Sequence, residues 1–377
     1  SAASGRIDRS RRIPFTFDGR PYWGHPGDTL ASALLANGVT LLGRSFKYHR
    51  PRGVLTAGAE EPNALVTLGK AGKSEANTRA TMVELYEGLE AYSQNAWPSL
   101  AFDLGAINGV FSRLIPSGFY YKTFLLGSSR LWTRLYEPFI RRAAGLGPAP
   151  TAEDPDFYDK RHAHCDVLVI GAGPAGLAAA RSASAGGARV IVIDERAAPG
   201  GSLLASSDQI DNLPAADWAA QETNAFANRQ DTRLLRRTTA IGLYDHNLVM
   251  AAERLADHDP ARAGPRQRLW QIRAGHVILA TGAHEQPLQF GNNDLPGVML
   301  ASAGLMFARQ YGALPGRRVI ITTANDYGHE VARGMIEAGA EIAAVVDSRP
   351  SAPASDQFSV IAGGTILQAR GRKRVSA

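Results

Sequence analysis

The sequence predicts an α/β protein, with strand–helix–strand segments forming parallel sheet, preceded by a smaller α+β domain. Three observations carry this. Residues 165–195, CDVLVIGAGPAGLAAARSASAGGARVIVIDE, give an apolar run, a glycine turn, a small-residue helix and a second apolar run ending in acids. Residues 317–347, RRVIITTANDYGHEVARGMIEAGAEIAAVVD, repeat that order. Residues 13–38 instead give two short alternating strands about a tight turn, then a helix. Continuous apolar runs mark strands buried on both faces, and alternation marks strands with one wet face.

The elements follow in order. IPFTF at 13–17 alternates, Asp18-Gly19-Arg20 turns, and Pro21–His25 returns. Asp28 is the predicted N-cap of the helix in DTLASALLANG, which stops at Gly38. Strand material returns at Ala64–Leu68 and near Ala80–Leu85. Hairpin, helix and later strands outline a β-grasp, ferredoxin-like domain over residues 1–97. Residues 98–160 form a connector of short helices, whose aromatics in FSRLIPSGFYYKTFLLGSSRLWTRLYEPFIRRAAGLG are expected to pack between domains. It ends in a Pro- and acid-rich linker, PAPTAEDPDFYDK. A first dinucleotide-binding domain of Rossmann type is expected over 161–300. A second, degenerate and incomplete Rossmann unit follows over 301–377.

A chain of 377 residues accommodates two or three domains, and 45% hydrophobic with 20% charged residues is an ordinary globular balance. The net charge of +6 comes from dispersed Lys and Arg without interleaved aromatics, so no nucleic-acid groove is expected. The single cysteine, Cys165, excludes a disulfide framework and any multi-cysteine metal site, and its strand context makes it a small core residue. No apolar run reaches the about 18 residues of a membrane span. The N-terminal SAASGRIDRSRR lacks the apolar middle of a signal peptide. A cytoplasmic setting without membrane attachment is expected.

The glycines of 171–176 stand in the context a dinucleotide fingerprint requires, after a strand and opening a helix. Gly171 permits the tight turn, Gly173 lets backbone approach a pyrophosphate, and Gly176 allows close helix–strand packing. Ala172, Pro174 and Ala175 complete the turn and the helix start, where free N–H groups meet phosphate. Asp194 and Glu195 lie 18 and 19 residues past Gly176, and both suit the ribose hydroxyls. An acid there repels a 2′-phosphate, favouring NAD or FAD over NADP. Arg196 runs against this only if it welcomes a 2′-phosphate, and stacking on adenine or solvent exposure is expected instead. Gly200-Gly201-Ser202 forms a small turn able to pass near the cofactor. Ala280-Thr281-Gly282 follows a strand and is expected to return beside it.

In the second segment Thr323, Asn325 and Gly328 replace the three glycines. Side chains then obstruct a pyrophosphate, so a structural half is expected. Asp347 follows Thr323 by 24 residues, as Glu195 follows Gly171, which favours Glu195 as the ribose ligand. His162, His164, His284 and His329 are expected to be structural or on the surface. No residue has a clear claim to acid–base catalysis.

Several phrases resemble the alpha subunits of heterotetrameric sarcosine oxidase: GRPYWGHPGDTLASALLANG, GRSFKYHRPRGVLTAGAEEPNALV, SGFYYKTF, LYEPFIRRAAGLG, HCDVLVIGAGPAGLAAA, ATGAHEQPLQFGNNDLPGVMLASA and VVDSRP. Alpha subunits of amine and opine dehydrogenases and of hydrogen cyanide synthase are related. The resemblance implies flavin-dependent oxidative demethylation of sarcosine to glycine, with one-carbon transfer to tetrahydrofolate and formation of hydrogen peroxide. It implies NAD at Gly171, Ala172, Gly173, Gly176, Asp194, Glu195, Arg196, Gly201, Thr281 and Gly282. FAD belongs to the beta subunit, FMN to the subunit interface, and gamma and delta subunits complete the complex. Relatives that hold an iron–sulfur cluster carry cysteines around residues 43–60. GRSFKYHRPRG has none and His49 cannot substitute, so a cluster-free scaffold is expected. The resemblance also implies a large folate-binding, aminomethyltransferase-like domain for which this chain has no residues, so a truncated chain is expected.

Overall fold

The computed structural model describes residues 5–115, 118, 129–143 and 147–376. Phe119, Tyr120, Tyr121 and Phe124, and the packing expected of them, lie outside the described residues. The chain forms two compact bodies, Ser1–Asp154 with Gln286–Ala377, and Pro155–Glu285.

The first body begins with a five-stranded mixed sheet. Its order is Arg20–Gly24, Ile13–Phe17, Leu89–Ser93, Leu65–Leu68, Glu75–Arg79. The first hairpin is antiparallel, and Ile13–Phe17 runs parallel to Leu89–Ser93. Strand alternation buries Ile13, Phe15 and Phe17 beneath the helix Leu30–Ala36, whose Leu30 and Leu34 are fully buried. This is the predicted β-grasp arrangement. Two local expectations are corrected. The helix is capped by Thr29, not Asp28: Thr29 and Ser32 exchange hydrogen bonds in a capping box, worth about 1 kcal/mol. Asp28 instead accepts from the Ser32 hydroxyl at 2.6 Å. Residues 80–85 are not a strand. Their carbonyls serve the helix entry, with Leu30 N–H donating to Val83 and Ala31 N–H to Ala80. Local apolar character cannot distinguish that role from a strand.

The same body holds the second strand–helix–strand segment. Arg318–Thr323, Glu341–Asp347 and Val360–Ala362 form a parallel sheet, with the helix Tyr327–Glu337 between the first two strands. The register shifts between Val319 and Ile320, which inserts one extra residue, Ala343, into the second strand. Asp294 ties the segment 286–300 to the 43–52 hairpin by accepting from Arg50 Nε and Nη2 at 2.6 Å each, and from Arg52. Burial pushes the Asp294 carboxyl up, but the two guanidiniums outweigh it and hold the pKa at about 2.

The second body is a six-stranded sheet with order Thr232–Leu235, Val190–Ile193, Tyr158–Ile170, Gln267–Leu279, Leu248–Arg254, Thr238–Tyr244. The first four strands are parallel and the last two add an antiparallel meander. Helices Pro174–Ala185 and Ala215–Ala227 cover one face through Leu177, Ala180, Trp218, Ala219 and Phe226. The other face buries Cys165, Leu168, Ile170, Ile191, Ile193, Trp270 and Ile272. Cys165 is thus the small core residue expected, and burial pushes its thiol up to about 11.

Candidate dinucleotide site

The glycine turn lies where the central strand Tyr158–Ile170 hands over to the helix Pro174–Ala185. Gly171 has φ +101°, which only glycine adopts without strain. A Cβ there would stand 2.3 Å from the Ala280 carbonyl oxygen, and one on Gly176 would stand 1.8 Å from the Gly171 carbonyl oxygen. These two glycines are fixed by the protein's own packing. Gly173 differs. Its φ of −77° suits any residue, and the nearest atom to a built Cβ is Gly201 Cα at 4.0 Å. No contact within the protein requires glycine at 173. The space in front of it is open.

That space faces the first turn of the helix, where Pro174 and Ala175 are exposed and no side chain caps the N–H groups. Unpaired N–H groups and the positive dipole end attract phosphate. The Gly200-Gly201-Ser202 turn closes one side, with Gly200 N–H donating to the Ala172 carbonyl at 2.8 Å. Ala280 N–H donates to Ile170 at 2.8 Å, bringing Thr281 beside Gly171. Thr281 and Gly282 are exposed. The turn therefore fits the pyrophosphate of a dinucleotide.

Asp194 accepts from Ala172 N–H at 2.7 Å and from Arg196 N–H at 2.8 Å. Its carboxylate braces the glycine turn against the end of the second strand. Burial raises its pKa, and the two N–H donors oppose the rise. Glu195 is the next residue, and its carbonyl accepts from Arg254 Nη2 at 2.6 Å. The counting that favoured Glu195 does not hold. Thr323 pairs with Asp347, while the register Ile170 to Ile193 aligns Gly171 with Asp194. The extra Ala343 offsets the count by one, so Asp347 corresponds to Asp194. The carboxylate that braces the turn is therefore that of Asp194. Sequence reasoning named Ala172 but not its bond to Asp194, and missed Arg254, which the meander's topology brings to the Glu195 carbonyl.

Asp347, corresponding to Asp194, is fully buried. It accepts from Arg349 N–H at 2.9 Å, Arg349 Nη2 at 2.7 Å and His329 Nε2 at 2.9 Å. Arg349 also reaches Asp326 at the helix N-terminus, at 2.8 Å. Thr323 Oγ1 bonds the Asn325 backbone and packs on Gly328. His329 is buried, while His162, His164 and His284 are exposed. Among the described residues no group of three or more His, Cys, Asp or Glu could hold a metal ion. Nor is any helix among them long and apolar enough to cross a membrane.

Comparison with known proteins agrees with this geometry. Residues 165–362 match the pyridine nucleotide-disulphide oxidoreductase family. Residues 10–96 match a 2Fe-2S iron-sulfur cluster binding domain, although the chain's one cysteine lies outside them. The chain is 55% identical over 99% of its length to sarcosine oxidase subunit alpha of Rhizobium meliloti (strain 1021), covering 38% of that protein. It is 38% identical over 97% of its length to sarcosine oxidase subunit alpha of Corynebacterium sp. (strain U-96), covering 33% of it. The chain thus spans well under half the length of these curated relatives. The crystal structure of L-proline dehydrogenase from P. horikoshii shares the fold, with a TM-score of 0.63 at 19% identity, over 100% of this chain and 58% of that one. The chain belongs to the pyridine nucleotide-disulphide oxidoreductase family and is homologous to the alpha subunit of sarcosine oxidase.

Proposed function

We propose that this chain is the dinucleotide-binding part of a sarcosine oxidase alpha subunit and holds NAD in the 171–176 turn. The observation that carries the reading is the ungoverned space before Gly173, set at an uncapped helix start and flanked by an acid. Gly171, Ala172, Gly173, Ala175 and Gly176 surround the pyrophosphate through backbone, with Gly200, Gly201 and Ser202 closing the cradle. Glu195 accepts from the ribose hydroxyls, and Asp194 keeps the turn rigid. Arg196 lies beside the adenine. Thr281 and Gly282 line the return loop. The acids Asp194 and Glu195, which would repel a 2′-phosphate, support NAD over NADP.

In the complex, a flavin supplies the hydride-accepting chemistry that converts sarcosine to glycine, with the one-carbon unit going to tetrahydrofolate and electrons to oxygen as hydrogen peroxide. The relatives' name, subunit alpha, supports the existence of partner subunits; that these are beta, gamma and delta subunits, with FAD in the beta subunit and FMN between subunits, is our proposal from the resemblance. This chain contributes no acid–base group to that reaction in our reading. Its residues bind and orient a dinucleotide and present surface to partners in the cytoplasm.

The test is the identity of the dinucleotide released when the purified chain is denatured. NAD at about one equivalent is expected. A yellow protein releasing FAD from this chain alone contradicts the assignment and favours a stand-alone flavoenzyme. Activity with an opine and none with sarcosine, in the assembled complex, would move the substrate to the opine oxidases.

A further inference from the structure

Residues 53–64 connect the 43–52 hairpin to the strand Leu65–Leu68, inside the stretch that matches a 2Fe-2S domain. With no cysteine in that stretch the donor set does not fit iron. A loop of this length still needs something to satisfy its backbone. Here the N–H groups converge on a carboxylate. Glu61 is 1% exposed. Its Oε2 accepts from Leu55 N–H at 2.9 Å, Thr56 N–H at 2.7 Å and the Thr56 hydroxyl at 3.3 Å. Its Oε1 accepts from Asn63 N–H at 2.7 Å and Ala64 N–H at 2.9 Å. The partners come from both ends of the loop, so one side chain closes it.

We infer that the Glu61 carboxylate is the internal replacement for an iron–sulfur cluster. An anionic cluster is cradled by N–H groups that donate to its sulfurs, and a buried carboxylate with four N–H donors meets the same electrostatic demand. The consequences reach beyond the loop. Leu55, held by Glu61 through its N–H, offers its carbonyl to Leu300 N–H at 2.9 Å. Leu300 is the N-cap of the helix Ala301–Tyr311. Thr81 donates to the Gly58 carbonyl at 2.7 Å. Glu61 therefore sets the loop on which both Thr81 and the entry to the helix Ala301–Tyr311 rest. The domain is committed to an iron-free, redox-silent state, in which the carboxylate does the work of folding the loop.

Amide hydrogen exchange on the full chain tests this. In the wild type, the amides of Leu55, Thr56, Asn63 and Ala64 should be protected. Glu61→Gln keeps the shape but loses the charge and one acceptor oxygen, and should speed exchange at these four by about ten- to a hundredfold. Glu60→Gln, at the half-buried neighbour, should leave them unchanged. Refolding from denaturant in a chelator gives a second reading if Glu61→Gln does not fold, and the same Tm with or without iron and sulfide is expected. Wild-type amides exchanging like an open loop, unchanged rates in Glu61→Gln, or a requirement for iron on refolding would each overturn the inference.

Discussion

The two strand–helix–strand segments share a plan and differ in what fills the mouth of the turn. Around Gly171 the mouth is open. Ala172 and Arg196 N–H groups take up Asp194, Gly173 faces space, and no side chain caps the helix. Around Thr323 the mouth is closed. Arg349 bridges Asp347 and Asp326 at the helix start, His329 shares the Asp347 Oδ2 with Arg349 Nη2, and Thr323 folds onto the Asn325 backbone. One turn is a socket and the other is the same turn plugged by its own side chains. The third glycine survives in both because helix–strand packing needs it, with Gly176 against Gly171 and Gly328 against Thr323. The second glycine survives only in the turn that we propose as the dinucleotide socket. The difference teaches that a fingerprint glycine has two separable reasons to exist, one internal to the fold and one not.

The comparison can be broken most severely at Gly176. Gly176→Ala drives a Cβ into the Gly171 carbonyl oxygen, and a loss of about 3 kcal/mol is expected in thermal or denaturant unfolding. Asp347→Asn comes next. It keeps one acceptor oxygen but removes the buried charge that Arg349 and His329 share, costing roughly 3 kcal/mol, with no effect on NAD affinity. A change in NAD affinity there would mean that the second turn is not closed. Asp194→Asn keeps one acceptor oxygen and loses the other. About 1–2 kcal/mol of stability and part of the NAD affinity should go together.

Acid titration separates the two aspartates by sign. Arg349 hydrogen bonds hold Asp347 below the ordinary carboxylate range. Its contribution is present above that range and is lost as pH falls through its folded value. Burial raises Asp194 above its ordinary value. Its contribution runs the other way, weakening as pH rises from the ordinary value through the folded one. NMR titration of the two carboxyl groups should therefore bracket the unperturbed Asp, and the reverse order would contradict the socket-and-plug description. The smallest effect is at Cys165. With its thiol at about 11 and its side chain in the core, alkylation of the native chain at pH 8 should be far slower than after unfolding.

Much of this was legible in the residues. The demands on Gly171 and Gly176 are local, so strand, turn and helix spacing reveal them. The hairpin 13–24 and the loss of cluster thiolates could also be read directly. The division between Asp194 and Glu195 could not. It depends on a bulge in another strand, and on which carboxylate turns back toward Ala172. Thr29 outcompeted Asp28 as a cap because Ser32 completes a reciprocal pair, and residues 80–85 became helix-entry acceptors through tertiary placement. Glu61 gives no sign in sequence at all, since a glutamate in a Gly- and Pro-rich loop looks solvated until the loop closes around it.

Titration of NAD into the wild type and Gly173→Val tests the central claim most directly. Because φ at 173 is ordinary and a Cβ there meets nothing closer than 4.0 Å, the variant should fold with a stability within about 1 kcal/mol of the wild type. The account predicts one NAD per wild-type chain and no measurable binding to a variant of unchanged Tm. Undiminished NAD affinity in a well-folded Gly173→Val would show that the open space at the first turn is not the dinucleotide site.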